Sequence, residues 1–376
     1  SMNSILLIGQ TPPPYHGQAI AMQQLFDQRW EGLEVRCLRM AYSNSESEVG
    51  RFRFRKIFHL ISLIIKSWII LIKNRPCCLY YPPASPNRIP IIRDVIFLLL
   101  VRPLAKHTIF HYHAGGLPAY VASFSLPLRF LSRLAFSNAT LGIEISESQL
   151  HEDIFFPAKR RICITNGLDV SDTEQRSNSN KDRKRRILFV AGLRKSKGIM
   201  DIIGTAEKLR NLGADFVFDV AGAWQEEHTR SKFKEELSRL NLNDHVVLHG
   251  RVTGEDKWKL YRQAYAFFFP SFYESENFPL VLIEAMAFGL PIVATNWRGI
   301  PELVVDGENG RLCDVQSCEQ FSSALNELIN NENDYKKMAS LAQERYQRKY
   351  TKKVFISSMR QAFESVLNES KIQQHD

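Results

Sequence analysis

The chain has 376 residues, 44% of them hydrophobic and 24% charged, with a formal net charge of +9. That length exceeds one ordinary core, so two domains are expected, and the composition excludes a disordered, collagenous or low-complexity protein. The charge is lopsided: residues 1–170 hold 19 Lys+Arg against 11 Asp+Glu, a net +8, whereas 171–376 hold 30 against 29, a net +1.

The first element, Ser4-Ile-Leu-Leu-Ile-Gly, reads as a buried strand. Its apolar run Ile5–Ile8 is short and lacks a basic flank, so a secretory leader is not expected. The loop TPPPYHGQ follows, and then an amphipathic helix over about 19–29. Gly17 permits close backbone approach at the start of that helix, a weak signal for a phosphate. Between Arg51 and Lys106 eleven basic residues face only Asp94. This segment contains two apolar stretches, 57–72 and 89–101, interrupted by Lys66 and Arg93. Neither reaches the roughly 20 apolar residues of a bilayer span. Two readings of their apolar faces stand: core helices whose charges snorkel outward, or helices lying on a membrane. The basic excess itself favours an anionic membrane surface. No nucleic-acid-binding module is present, so nucleic acid is not an expected partner.

Further strands are predicted at 77–81, 107–113, 139–145 and 161–165. In the second of these, His111 and His113 share one strand face. No third ligand stands at metal-binding spacing, so a hydrogen-bonding role is expected rather than a metal site. Residues 165–169 (TNGLD) form a turn, and 171–186 is polar enough to be a linker. A second alternation then begins at Arg186-Ile-Leu-Phe-Val. Its strands are expected at 215–221, 245–249, 266–270 and 291–295, and its helices near 198–212, 226–240, 255–264 and 279–288. A last helical stretch runs from about Asp334 to Leu367. The resulting boundaries are 1–170, the linker 171–186, 187–350, and 351–376 as a C-terminal helix and tail. Strand–helix alternation in both halves implies an α/β chain of two doubly wound units, with a ligand cleft at the carboxyl ends of the strands. Six cysteines show neither CxxC nor zinc-finger spacing, which fits reduced thiols.

Two stretches of the second half carry chemistry. In ENFPLVLIEAMAFGLPIVAT (276–295), a helix starting at Pro279 would leave the amides of Leu280 and its neighbours open to an anion. Glu276 precedes that helix end and Glu284 lies one turn inside it. A buried carboxylate there either pairs with a buried Arg or Lys or accepts hydroxyls flanking a phosphate, and the stretch alone slightly favours the pair. In AGLRKSKG (191–198), Arg194, Lys195 and Lys197 gather at a strand end, an arrangement able to clamp a diphosphate. The GxGxxG dinucleotide fingerprint is missing after both opening strands.

Together these pieces resemble glycosyltransferase family 4, retaining enzymes of the GT-B fold. The resemblance rests on Glu276-x7-Glu284, supported by AGLRKSKG, TNGLD, HGRV (249–252) and GIPELVVDGENG, and more thinly by PPPYHG and HYHAGG. It reverses the balance at Glu284, and it implies roles for individual residues. Glu284 would bind the ribose of a nucleoside diphosphate sugar, UDP- or GDP-linked, and Glu276 the transferred sugar. Asn277, Phe278, Pro279 and Leu280 would hold the sugar and distal phosphate. Lys197 and Arg194 would neutralise the leaving diphosphate, and Arg251 and Val252 would flank the base. His113 would meet the donor sugar, and Gly17 the phosphates or acceptor. Two departures are visible: Gly192 stands where the family often has Arg, and two extra residues after Pro270 make Glu274 a competitor of Glu276. With no Asp-x-Asp motif, neither a metal nor a further cofactor is expected. The resemblance also implies a lipid-linked or glycan acceptor at the cytoplasmic membrane face. A GT-B epimerase and a catalytically silent membrane scaffold are the alternatives.

Overall fold

The computed structural model describes residues 4–13, 15–42, 52–74, 77–150, 156–170 and 184–372. Most of the 171–186 linker, together with Arg51, lies outside them. The chain divides into two compact units, Ser1–Gly167 with Lys352–Asp376, and Leu168–Thr351.

The first unit is built on six parallel strands in the order β2-β1-β3-β4-β5-β6. These are β1 (Ser4–Gly9), β2 (Glu34–Arg39), β3 (Cys77–Tyr81), β4 (His107–Tyr112), β5 (Ala139–Glu144) and β6 (Ala158–Cys163). β1, β3 and β5 are buried along their whole length, as a parallel sheet covered on both faces requires. The helices are α1 (Gly17–Asp27), α2 (Phe52–Lys73), α3 (Arg88–Val101), α4 (Leu117–Ala122), α5 (Leu126–Phe136) and α6 (Glu147–Leu150). α2, α3 and α5 pack in one core with Leu6, Leu79 and Phe110. α1 covers the opposite face, in a second core with Ile5, Leu7 and Tyr80.

The second unit has the order β12-β11-β10-β7-β8-β9, again all parallel. Its elements are β7 (Arg185–Val190), α7 (Asp201–Asn211), β8 (Phe216–Ala221), α8 (Glu227–Arg239), β9 (Val246–Gly250) and α9 (Gly254–Gln263). They continue with β10 (Ala266–Phe269), α10 (Leu280–Ala287), β11 (Ile292–Thr295), α11 (Ile300–Leu303), β12 (Gly310–Cys313), α12 (Cys318–Asn330) and α13 (Glu332–Lys349). Strand order reverses between β7 and β10, so the loops after these neighbours flank the crevice where open α/β sheets take ligands. The last helix, α14 (Lys352–Ile372), belongs to the first unit, where Phe363 packs edge-on against Trp30 and Tyr80.

Several sequence boundaries move. Unit one ends at Gly167 rather than 170, because Leu168 and Val170 bond to Tyr350 and Tyr346 of the second unit. β7 starts two residues before 187, and the expected strand at 161–165 lies at 158–163. The helical stretch 334–367 is two helices, interrupted at Tyr350 by a backbone φ of −124°. β2 and β12 were not expected; β2 is largely solvent-exposed and β12 has only four residues, so neither shows an apolar run.

Candidate functional site

The loops after β7 and β10 interlock. Phe272 donates its amide to the Ser196 carbonyl at 2.8 Å. Gly198, at φ +78°, lies so close to the Pro270 carbonyl that a Cβ would collide with it. No other residue type combines that φ with that approach. The basic turn is thereby held against the segment carrying Glu276.

Glu276 is buried and accepts on Oε2 from Lys197 Nζ and from Ser271 Oγ, both at 2.6 Å. Thr295 Oγ1 in turn donates to the Ser271 carbonyl. Glu274, its competitor in the sequence, is exposed. Lys197 Nζ also stands 4.5 Å from the Tyr273 ring centre, and the Arg194 guanidinium 5.0 Å from it, so one aromatic ring supports both cations. Three buried polar atoms around these loops have no hydrogen-bond partner: Arg194 Nε, Ser196 Oγ and Asn277 Nδ2. A native interior rarely leaves buried polar groups unpaired unless a ligand or water serves them.

Pro279 is the N-cap of α10, in an extended conformation, rather than its first helical residue. Helix amides therefore open at Leu280, and no side chain caps them. The Asn277 segment is pressed against Gly299, where a Cβ would strike the Asn277 carbonyl. Glu284, 7% exposed, accepts from Lys257 Nζ on Oε1 and from Tyr261 hydroxyl on Oε2, both at 2.6 Å. The ion pair open in the sequence reading is thus present. Lys257 and Tyr261, one turn apart on α9, were missed there; their four-residue spacing facing one acceptor was the available signal. Arg251 and Val252 follow β9, Arg251 exposed and Val252 half-buried. At Gly192 the amide end of the exposed Gln225 side chain occupies the space a Cβ would enter. That leaves Arg194 and Lys197 as the cations of this turn that share the Tyr273 ring.

In the first unit, Gly17 opens α1, and the His16 ring accepts from the Ala19 amide at 3.2 Å. His113 lies one residue beyond β4, not on the strand with His111. The two ring centres nonetheless lie 4.1 Å apart, with the planes tilted by 32°, and Tyr80 hydroxyl meets His111 Nδ1 at 2.7 Å. Both ring nitrogens of His113 are buried without a partner. Burial, reinforced by the His16 charge, pushes the His113 pKa down to about 3, so the ring is neutral at ordinary pH. No group of three metal-ligating side chains occurs among the described residues.

Residues 170–345 match the family model described as glycosyl transferases group 1. Over the whole chain, the structure is similar to sucrose-phosphate synthase from Thermosynechococcus elongatus, with a TM-score of 0.70 at 18% identity, covering 97% of this chain and 100% of that one. The fold is that of the GT-B glycosyltransferases. Another GT-B neighbour, Anabaena Alr3699/HepE in complex with UDP-glucose, has a TM-score of 0.66 at 16% identity, covering 97% and 99%. Among relatives by sequence, an uncharacterized glycosyltransferase of Haemophilus influenzae is 34% identical over 42% of this chain and 43% of its own length. The capsular polysaccharide biosynthesis glycosyltransferase CapM of Staphylococcus aureus is 24% identical over 84% of this chain and 83% of its own. The match thus spans less than half of the first relative and most of the second, and these similarities support a glycosyltransferase role.

Proposed function

We propose that this GT-B chain is a retaining, metal-independent hexosyltransferase of the family 4 type. Its donor is a nucleoside diphosphate sugar, UDP- or GDP-linked, and it works in the synthesis of a cell-surface polysaccharide or glycolipid. The observation that carries the reading is the set of unserved polar groups at the topological switch of the second unit. Arg194 Nε, Ser196 Oγ and Asn277 Nδ2 have no partner, and their residues lie in the two loops that carry the buried Lys197–Glu276 pair, the second of which leads into an uncapped helix end. A diphosphate fits such a place: the cations and amides stabilise the charge that develops as the glycosidic bond to the phosphate breaks.

In this reading Lys197 and Arg194 take the diphosphate, and the amides from Asn277 to Leu280 take the sugar and distal phosphate. Glu276 receives sugar hydroxyls, Glu284 receives the ribose, and Arg251 and Val252 border the base. His113 is assigned to the transferred sugar and Gly17 to the phosphates or acceptor, on the resemblance. A neutral imidazole can accept or donate a hydrogen bond to a hydroxyl without adding charge. The acceptor hydroxyl attacks on the face that the diphosphate leaves, and a departing phosphate oxygen takes its proton. The acceptor is a lipid-linked saccharide or similar glycan at the inner face of the cell membrane, with the basic segment 51–106 toward the lipid. The CapM relative, named for capsular polysaccharide biosynthesis, supports this setting.

The test is release of nucleoside diphosphate from a panel of sugar nucleotides, with and without a lipid-linked acceptor. Acceptor-dependent release supports transfer. Isomerised sugar nucleotide formed without acceptor would indicate an epimerase, and silence with every donor would overturn the enzyme reading.

A further inference from the structure

The outer surface of the first unit's helical layer is unusually apolar. Fifteen of the nineteen large hydrophobic side chains exposed among the described residues lie on α2, α3 and α5. α3 sits between the other two, packing against α2 and α5, and Trp68 Nε1 of α2 donates to the Leu100 carbonyl of α3 at 2.8 Å. All three pack their inner faces into one core, so their outer faces form one layer.

On α2 the buried positions include Leu63, Ile64, Ser67 and Leu71, and the opposite side carries Phe58, Ile61, Ile65, Ile69 and Ile72. These recur at three- and four-residue intervals, so α2 has an apolar stripe on each side rather than one. α3 contributes Ile89, Ile96 and Leu100, whose spacings of seven and four put them on one face. α5, which the sequence reading left out, contributes Leu126, Phe130 and Leu134, with Phe130 68% exposed against 69% for Phe58.

Charge identifies the occupant. Between Glu48 and Glu144 the chain has a single acidic residue, Asp94. It is buried, accepting from Tyr81 hydroxyl at 2.6 Å and the Ala84 amide at 2.7 Å, so it offers nothing to the surface. Arg55, Lys66 and Lys73 are exposed and spaced by eleven and seven residues, close to whole turns of helix. They form one row about 100° round α2 from the apolar stripe. Arg88 and Arg133 are exposed on α3 and α5. A second copy of the chain would set two acid-free basic rims against each other, whereas an anionic lipid surface complements both the stripe and its border. No helix of the described residues is long and apolar enough to cross a membrane.

We infer that α2, α3 and α5 together form a monotopic membrane-binding platform, lying in the plane of an anionic leaflet with the Arg55–Lys66–Lys73 row at headgroup level. The platform rests on the proposed function for its purpose, delivery to a membrane-bound acceptor, but not for its physics. α5 makes it a three-helix surface rather than the 51–106 segment alone. Apolar side chains on such a face enter the headgroup boundary, and each nearby cation adds about fivefold to the partition coefficient.

The test is co-flotation of the full chain with phosphatidylcholine vesicles and with equimolar phosphatidylglycerol–phosphatidylcholine vesicles. Wild type is expected to float with the anionic vesicles and to dissociate as salt rises. Lys66→Gln with Lys73→Gln should lower anionic partitioning about 25-fold. Phe130→Ser with Leu134→Ser on α5 should abolish flotation as fully as Phe58→Ser with Ile65→Ser on α2. Failure of wild type to float, or unchanged flotation of the α5 variant, would overturn the platform. So would a solution dimer that dissociates on Phe58→Ser with Ile65→Ser while no form binds vesicles. Thermal shifts with UDP and GDP on the same samples separate the two claims. A chain that floats but responds to no nucleotide refutes the transferase reading and leaves the platform standing.

Discussion

Glu284→Gln separates the two demands placed on this carboxylate. In the folded unit it holds Lys257 Nζ and the Tyr261 hydroxyl, each at 2.6 Å. Glutamine keeps a carbonyl acceptor for the fully buried Tyr261 but removes the charge opposite Lys257. The lysine side chain retains 23% exposure, so its ammonium can turn to water, and the net cost is about 1–2 kcal/mol. For a unit of this size that lowers Tm by roughly 2–8 °C. If the same carboxylate receives ribose hydroxyls, replacing two charge-assisted bonds by weaker amide ones costs a further 2 kcal/mol or about 30-fold in nucleotide affinity. Tyr261→Phe is the control: it deletes a hydroxyl directed at Glu284, should cost about 1–3 kcal/mol of stability, and should leave affinity within about threefold. Calorimetric titration with UDP and GDP, alongside thermal melts, reads both quantities. A Glu284→Gln protein that melts early yet binds nucleotide as wild type does would refute the ribose role. Equal weakening by both variants would instead point to distortion of the site.

Lys197→Met should lower kcat about 100- to 1000-fold, the usual loss when one charge-stabilising donor is removed; initial rates of nucleoside diphosphate release check it, and a change below tenfold would exclude the lysine from the leaving-group site. Gly299→Ala forces a Cβ into the Asn277 carbonyl, so it should cost about 1–3 kcal/mol and weaken donor binding together; melts and titration would show whether the loop position matters. His113 has a native pKa of about 3 against an unfolded value of 6.5, so between those values the unfolded chain binds more protons. Stability should therefore fall as pH drops below 6.5, by at most about 1.4 kcal/mol per unit from this ring, with no contribution above. Urea melts of wild type and His113→Asn across that window should show the shallower slope in the variant, and identical slopes would contradict the buried neutral ring.

Much of the fold was legible because parallel strands buried on both faces spell out apolar runs. Ser4–Gly9, Cys77–Tyr81 and Phe216–Ala221 are such strands, and the sequence places each within a residue. The misses share a cause: β2 has no residue fully buried, so its edge position leaves no pattern to read. Helix amphipathicity was legible on α2, but not its direction, since both sides are apolar and only the tertiary core says which is inside. The weight given to Glu276 over Glu274 came from spacing alone, and the structure separates them by burial and by the Lys197 contact. Nothing local in sequence tells which lysine, 79 positions away, will meet a carboxylate.

The sequence also posed pairing and ligand binding at Glu284 as alternatives, and the geometry removes that opposition. A carboxylate has about four acceptor sites, two on each oxygen. Lys257 occupies one on Oε1 and Tyr261 one on Oε2, which leaves a site on each for hydroxyls. The Lys257 ion pair holds the carboxylate in place, so a ribose would meet an acceptor that is already ordered. Glu276 divides its work differently. Lys197 and Ser271 both donate to Oε2, so Oε1 is the oxygen left to a sugar, held in place by contacts on its twin. A buried ion pair in such a helix is thus a poor reason to discount a ligand; here it is the device that aims the carboxylate.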